Sequence, residues 1–188
     1  MSPRDLQDRP TREDAYFHRR DAEIIERARL DRRLAQEHFA LRDVLGTRDA
    51  DVVEQLHAYG VRATTALVLV DWLPVVEVAW LDGADDRERT AIRTAFDADP
   101  RSSAEALSLL DHWLTRRPAE GLFVAARRAL ADRLGAMGDD ERRHQLARLL
   151  EACERIGRTT GGFFGAGAMS ALERRHIDAL RTELAGAS

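Results

Sequence analysis

The chain has 188 residues, with 33 Asp and Glu against 29 Lys and Arg, for a net charge of −4. That acidic balance argues against a dedicated nucleic-acid binder, whose usual footprint is a basic excess. The sequence contains no Lys, no Asn and one cysteine, Cys153, which excludes a Walker lysine, a Schiff base, an N-glycosylation sequon, an internal disulfide and any multi-cysteine metal site.

Pro10 and Thr11 open the first element, with Thr11 as N-cap and Glu13 and Asp14 complementing the helix dipole. The pattern predicts helix to about Glu37. Its apolar residues are sparse among mixed charges, so residues 1–40 read as a charged helical arm rather than a core element. A short helix follows from about Ala50 to Tyr59, stopped by Gly60. The longest apolar stretch, Ala63 to Leu81, is about long enough to span a bilayer. It contains Asp71, Pro74 and Glu77, and two central carboxylates would each cost about 2.5–3.5 kcal/mol in lipid. The expectation is a buried core helix kinked at Pro74. A β-hairpin is the rival, favoured by the valines but lacking a Gly or Asn turn between its halves. Asp82-Gly83 ends the segment.

Asp85 or Asp86 caps the next helix, which runs to about Asp97. Ser102-x-x-Glu105 is a capping box for one running to about Arg116. Pro118 starts another that reaches Met137. Asp139 caps one through Leu149, Leu150 and Ile156. A glycine-rich connector, Gly157 to Ala168, carries Phe163 and Phe164, and Ser170-x-x-Glu173 boxes the last helix, which ends near Leu184. No strand alternation survives, so residues 41–188 are predicted to form an all-α domain of about seven helices behind the N-terminal arm. Met1 to Asp14 is charged and has no apolar segment, which predicts a cytoplasmic chain.

One internal repeat is visible. Leu73 to Ile92 is an apolar helix, a turn, a cap, and a helix opening with Glu88-Arg89 and an isoleucine four residues after the glutamate. Leu149 to Ile156, followed after the glycine-rich insert by Ser170 to Ile177, repeats the pattern with Glu173-Arg174. This predicts two similar halves, with Trp80, Ile92, Ile156 and Ile177 at matching places in a shared core. Trp72 to Ile92, above all Val78-Ala-Trp-Leu-Asp-Gly83 followed by Glu88-Arg89, resembles the TerB-like (tellurite-resistance) family. The resemblance implies an all-helical fold with two similar halves, each with an Asp-Gly turn followed by a Glu. It also implies a role in stress responses and membrane-associated complexes without catalysis. The second half departs from the pattern, with Thr159-Thr160-Gly161 in place of an Asp-Gly. The arm has its own resemblance. Arg12 to Glu26, with its Tyr-Phe pair and Ile24-Ile25, is similar to the inhibitory region of the mitochondrial ATPase inhibitor protein. That implies an ATPase partner contacted through Tyr16, Phe17, Ile24 and Ile25.

The acidic turn of Asp82, Asp85, Asp86 and Glu88 is a candidate for Ca²⁺ or Mg²⁺, which need clustered carboxylate oxygens. The same residues also read as helix caps and dipole partners, since Asp139, Asp140 and Glu141 repeat the pattern without an Asp-Gly. Asp71 and Glu77 read either as perturbed acids of a cleft or as partners of the many arginines. The six histidines show neither His-x3-His nor His-Glu-x-x-His, so zinc has no sequence support. Cys153 lies on an apolar helix face, as a packing residue does. Gly161 to Gly167 lacks the strand and spacing of a nucleotide loop. The sequence therefore predicts a non-enzymatic, cytoplasmic, TerB-like interaction or stress-response module. It would have a protein partner, no nucleic acid, peripheral membrane association at most, and no cofactor beyond Ca²⁺ or Mg²⁺ at the acidic turn. The alternative is a regulator whose N-terminal helix binds and inhibits an ATPase. A third reading is an enzyme using Asp71 or Glu77.

Overall fold

A computed structural model describes residues 12–159 and 169–186. They form α1 (Arg12–Leu45), α2 (Ala50–Ala58), α3 (Ala66–Ala79), α4 (Asp86–Asp97), α5 (Ala104–Thr115), α6 (Glu120–Gly135), α7 (Asp139–Gly157) and α8 (Ala171–Ala185), with no strand among the described residues. The fold is all-α. No helix of the described residues is long and apolar enough to cross a membrane. The chain divides into two compact units, residues 1–37 and 38–188, and the division falls inside α1.

In the first unit, Tyr16, Phe17, Ile24, Ile25, Leu30 and Leu34 are all exposed. In the second unit α1 continues past the predicted end at Glu37, because Leu41 and Leu45 are fully buried and form an i,i+4 apolar pair that ties the last turns to the core. Gly46, at φ +66°, ends the helix in a conformation that side-chain-bearing residues avoid. Deleting residues 1–36 is expected to leave a cooperatively unfolding domain, since every described apolar side chain so removed is exposed while Leu41 and Leu45 stay. Thermal unfolding followed by circular dichroism checks this, and loss of the transition would place the arm in the core.

The second unit is built around α3. Twelve of its 14 residues are buried, and it packs against α4, α5, α6, α7 and α8. A helix covered on all sides needs no polar face, which is why the segment is apolar all round except at Asp71 and Glu77. Pro74 lies inside it and the helix runs through without interruption. Packing on every face offsets the roughly 3 kcal/mol that an interior proline costs. The surrounding helices each bury one stripe: Ile92 and Phe96 from α4, Leu110 and Trp113 from α5, Leu122, Phe123 and Leu130 from α6, and Ile177, Leu180 and Leu184 from α8.

Helix starts follow the capping chemistry with three shifts, of which the first is at α6, which begins at Glu120 behind Ala119 and not at Pro118. Asp85 and Ser170 form complete capping boxes with Glu88 and Glu173. At α5 the cap is Ser103, whose hydroxyl accepts from the Ala106 N–H at 3.2 Å, rather than Ser102. At α7 the cap is Gly138, and Asp139, Asp140 and Glu141 fill the first turn, where they favour the positive end of the helix dipole. Of the four residues matched by the repeat, Ile92, Ile156 and Ile177 are buried and Trp80 is half-buried. The Trp80 indole N–H donates to the Trp113 carbonyl at 2.9 Å and its ring lies under the Arg89 guanidinium at 5.6 Å. An indole with a polar handle and a cation on its face belongs at the rim of a core.

Candidate metal centre

The chain leaves α3 at Trp80 and turns through Asp82 and Gly83 before α4. Gly83 has φ +94°, so a side chain here would be strained. The turn inserts Ala84 into the protein and leaves Asp82 exposed. Asp85 then spends its carboxylate on the helix end, accepting from the N–H groups of Arg87 at 2.8 Å and Glu88 at 2.9 Å. Glu88 reaches back, its Oε2 accepting from the Asp85 N–H at 3.1 Å. The same local chemistry recurs at α8. The Ser170 hydroxyl accepts from the Glu173 N–H at 3.1 Å, and Glu173 Oε2 accepts from the Ser170 N–H at 2.6 Å.

These two helix starts converge. One carboxylate oxygen each from Asp82, Glu88 and Glu173 lie within 4.8 Å of one another. Glu88 and Glu173 are fully buried. Glu173 Oε1 is buried without a hydrogen-bond partner among the described residues. Gly157 leaves it room, since a Cβ there would stand 3.2 Å from this oxygen and 3.2 Å from Met169. Two ionised carboxylates at such a separation repel by roughly 3–4 kcal/mol at an effective dielectric of about 20. A hard divalent cation relieves that repulsion and uses the free oxygen, and an all-carboxylate donor set suits Ca²⁺ or Mg²⁺.

Of the four acidic residues of the sequence-predicted turn, the structure brings Asp82 and Glu88 together. Asp85 is occupied as a cap, and the fully exposed Asp86 side chain stands 3.7 Å from Arg89 in the first turn of α4. The third member, Glu173, was not among the predicted ligands. The signal for it was in the repeat, which aligns Glu173-Arg174 with Glu88-Arg89. The predicted partner-binding residues Tyr16, Phe17, Ile24 and Ile25 are exposed on α1, in the first unit. The glycine-rich segment with Phe163 and Phe164 lies outside the described residues.

The buried acids of α3 are paired with arginine. Asp71 accepts from Arg101 at 2.6 Å, from Gln145 at 3.3 Å and from Arg133. Glu77 accepts from Arg127, and its Oε1 stands 3.5 Å from His176 Nε2. Cys153 is fully buried, and burial, with the charge of Glu77 adding to it, pushes its thiol up to about 12. That thiol stays protonated at neutral pH, which suits a packing residue rather than a nucleophile. Comparison with family models, curated proteins and solved structures finds no match to the chain.

Proposed function

We propose that the chain is a non-catalytic, TerB-like interaction module of a stress response, and that its helical domain binds Ca²⁺ or Mg²⁺ through Asp82, Glu88 and Glu173. The observation that carries this reading is the convergence of the three carboxylates, two of them buried and each set by a capping box at the start of its helix. The unpartnered Glu173 Oε1 supports it, because a buried carboxylate oxygen without a donor is costly unless something positive meets it. Asp82, at the exposed end, would leave room for water to complete the coordination of either ion. The exposed Tyr16, Phe17, Ile24 and Ile25 support a protein partner for the arm. They equally support the second reading, in which α1 docks into an ATPase and inhibits it; an inhibition assay with a peptide of residues 12–45 separates the two.

The metal test uses Glu173→Gln. Glutamine also satisfies a capping box, so the helix start is kept while the charge is removed. Wild-type protein is expected to melt higher in millimolar Ca²⁺ or Mg²⁺, by the equivalent of about 2.7 kcal/mol at a hundredfold excess over Kd. Glu173→Gln and Glu88→Gln are expected to lose that response. Absence of calorimetric binding at millimolar metal, or an undiminished response in Glu173→Gln, would return these residues to helix capping.

A further inference from the structure

A cleft of about 430 Å³ opens between α3, the turn after α4, and α7. It lies at the C-terminal end of α4, whereas Glu88 of the carboxylate cluster is in the first turn of that helix. Its floor is apolar, with Trp72 and Val75 from α3 and Leu149 and Ala152 from α7. Trp72 is fixed in place. Its N–H donates to Asp99 at 3.3 Å and its ring meets Phe96 edge-on at 5.5 Å.

The polar groups of one wall are satisfied internally. Arg101 bridges Asp71 at 2.6 Å and Asp99 at 2.7 Å, and Arg133 takes the other oxygen of Asp71. Arg101 holds the Asp99 carboxyl down to about 2 against the opposing effect of burial, so Asp99 stays charged at neutral pH. The α7 wall is different. Arg148 and Arg155 both line the cleft, are both exposed, and form no ion pair with a described residue. They are seven residues apart, two helical turns, so both lie on the same side of α7, with Glu151 between them. With Asp71 and Asp99 matched by Arg101 and Arg133, the two free guanidiniums exceed Glu151 by one charge. The volume lies in the range of small-molecule sites, about 300–1,000 Å³. An aromatic floor below unpaired guanidiniums is complementary to an amphiphilic acid, and a surplus of one charge fits a monoanion.

We propose that this cleft binds a small organic monocarboxylate, its apolar or aromatic body against Trp72, Val75 and Leu149 and its carboxylate on Arg148 and Arg155. The test is a titration of the ¹⁵N-labelled full-length chain with phenylacetate, indole-3-acetate and hexanoate, read at the Trp72 indole N–H. That resonance is assigned among the three tryptophans with Trp72→Phe. Phenylacetamide supplies the same body without the charge, and acetate the charge without the body. At least one of the three acids is expected to shift the resonance saturably in the millimolar range or below. The matched amide and acetate should bind at least about tenfold more weakly, a difference of about 1.4 kcal/mol. The double variant Arg148→Gln/Arg155→Gln, which alters only exposed side chains, is expected to keep the wild-type melting temperature and lose at least about tenfold in affinity for the acid. Saturation by none of the three acids overturns the proposal. So does equal binding of phenylacetamide, or unchanged affinity in the double variant.

Discussion

Asp71→Ala is expected to lower the free energy of unfolding by about 3–5 kcal/mol, the usual result of stranding a buried charge. Asp71 is buried in α3 and is met by Arg101, Arg133 and Gln145. The consequence for the two arginines differs. The Arg101 side chain is 41% exposed and keeps Asp99, so it loses little. The Arg133 side chain is 12% exposed, and its only ion pair among the described residues is with Asp71. Without the carboxylate, Arg133 must either stay charged and desolvated or pull α6 apart to reach water. Replacing both partners, as Asp71→Leu/Arg133→Met, is expected to recover most of the loss, because the penalty belongs to the orphaned charge and not to the absence of a salt bridge. Urea unfolding measures both, with a shift in midpoint at unchanged slope. A cost below about 1 kcal/mol for the single variant would put the pair in the class of surface ion pairs.

What the sequence showed clearly was whatever is decided locally. Asp85 and Ser170 cap helices because a short polar side chain three residues before a glutamate can exchange hydrogen bonds with it, and no distant residue is needed. Gly83 marks a left-handed turn for an equally local reason. The all-α class followed from such signals repeated along the chain. The end of α1 was misjudged because Leu41 and Leu45 are rewarded by tertiary burial, which a thin local stripe does not display. Ser102 and Ser103 are adjacent and both chemically able to cap, so the choice fell to the packing of α5. The arginine partners of Asp71 and Glu77 were unreadable in a different way. Each lies tens of residues away, and 29 cations were available. The carboxylate cluster stood between these cases. Its first two members came from one turn, while Glu173 needed the repeat to be read as a placement of side chains and not only of helices. The cleft has walls from three separated segments, and nothing in any one of them announces it.

Glu77 is expected to make the domain acid-sensitive. Its carboxyl is buried, and burial alone would push it up. His176 and Arg127 outweigh that effect and hold it below its ordinary value of 4.5. Because the folded value lies below the unfolded one, the charged carboxylate stabilises the fold at all pH above about 4.5. That contribution is lost as pH falls through the folded value, since the unfolded chain then takes up the proton first. Wild-type stability should therefore decline from about pH 5 downward, as protonation of Glu77 abolishes its attraction to Arg127. Glu77→Gln should give a flatter curve over the same interval. At neutral pH, Glu77→Ala is expected to cost about 3–5 kcal/mol, because the Arg127 side chain, 14% exposed, is left buried. Glu183 at 3.4 Å and Glu120 at 3.7 Å, both largely exposed, also approach Arg127 and pull the figure toward the lower end. Urea unfolding of the wild type and Glu77→Gln in steps from neutral pH to below the ordinary carboxylate value separates the two effects. If the two curves fall in parallel, Glu77 is not held below its ordinary value, and the ion pair with Arg127 contributes no more than a surface contact.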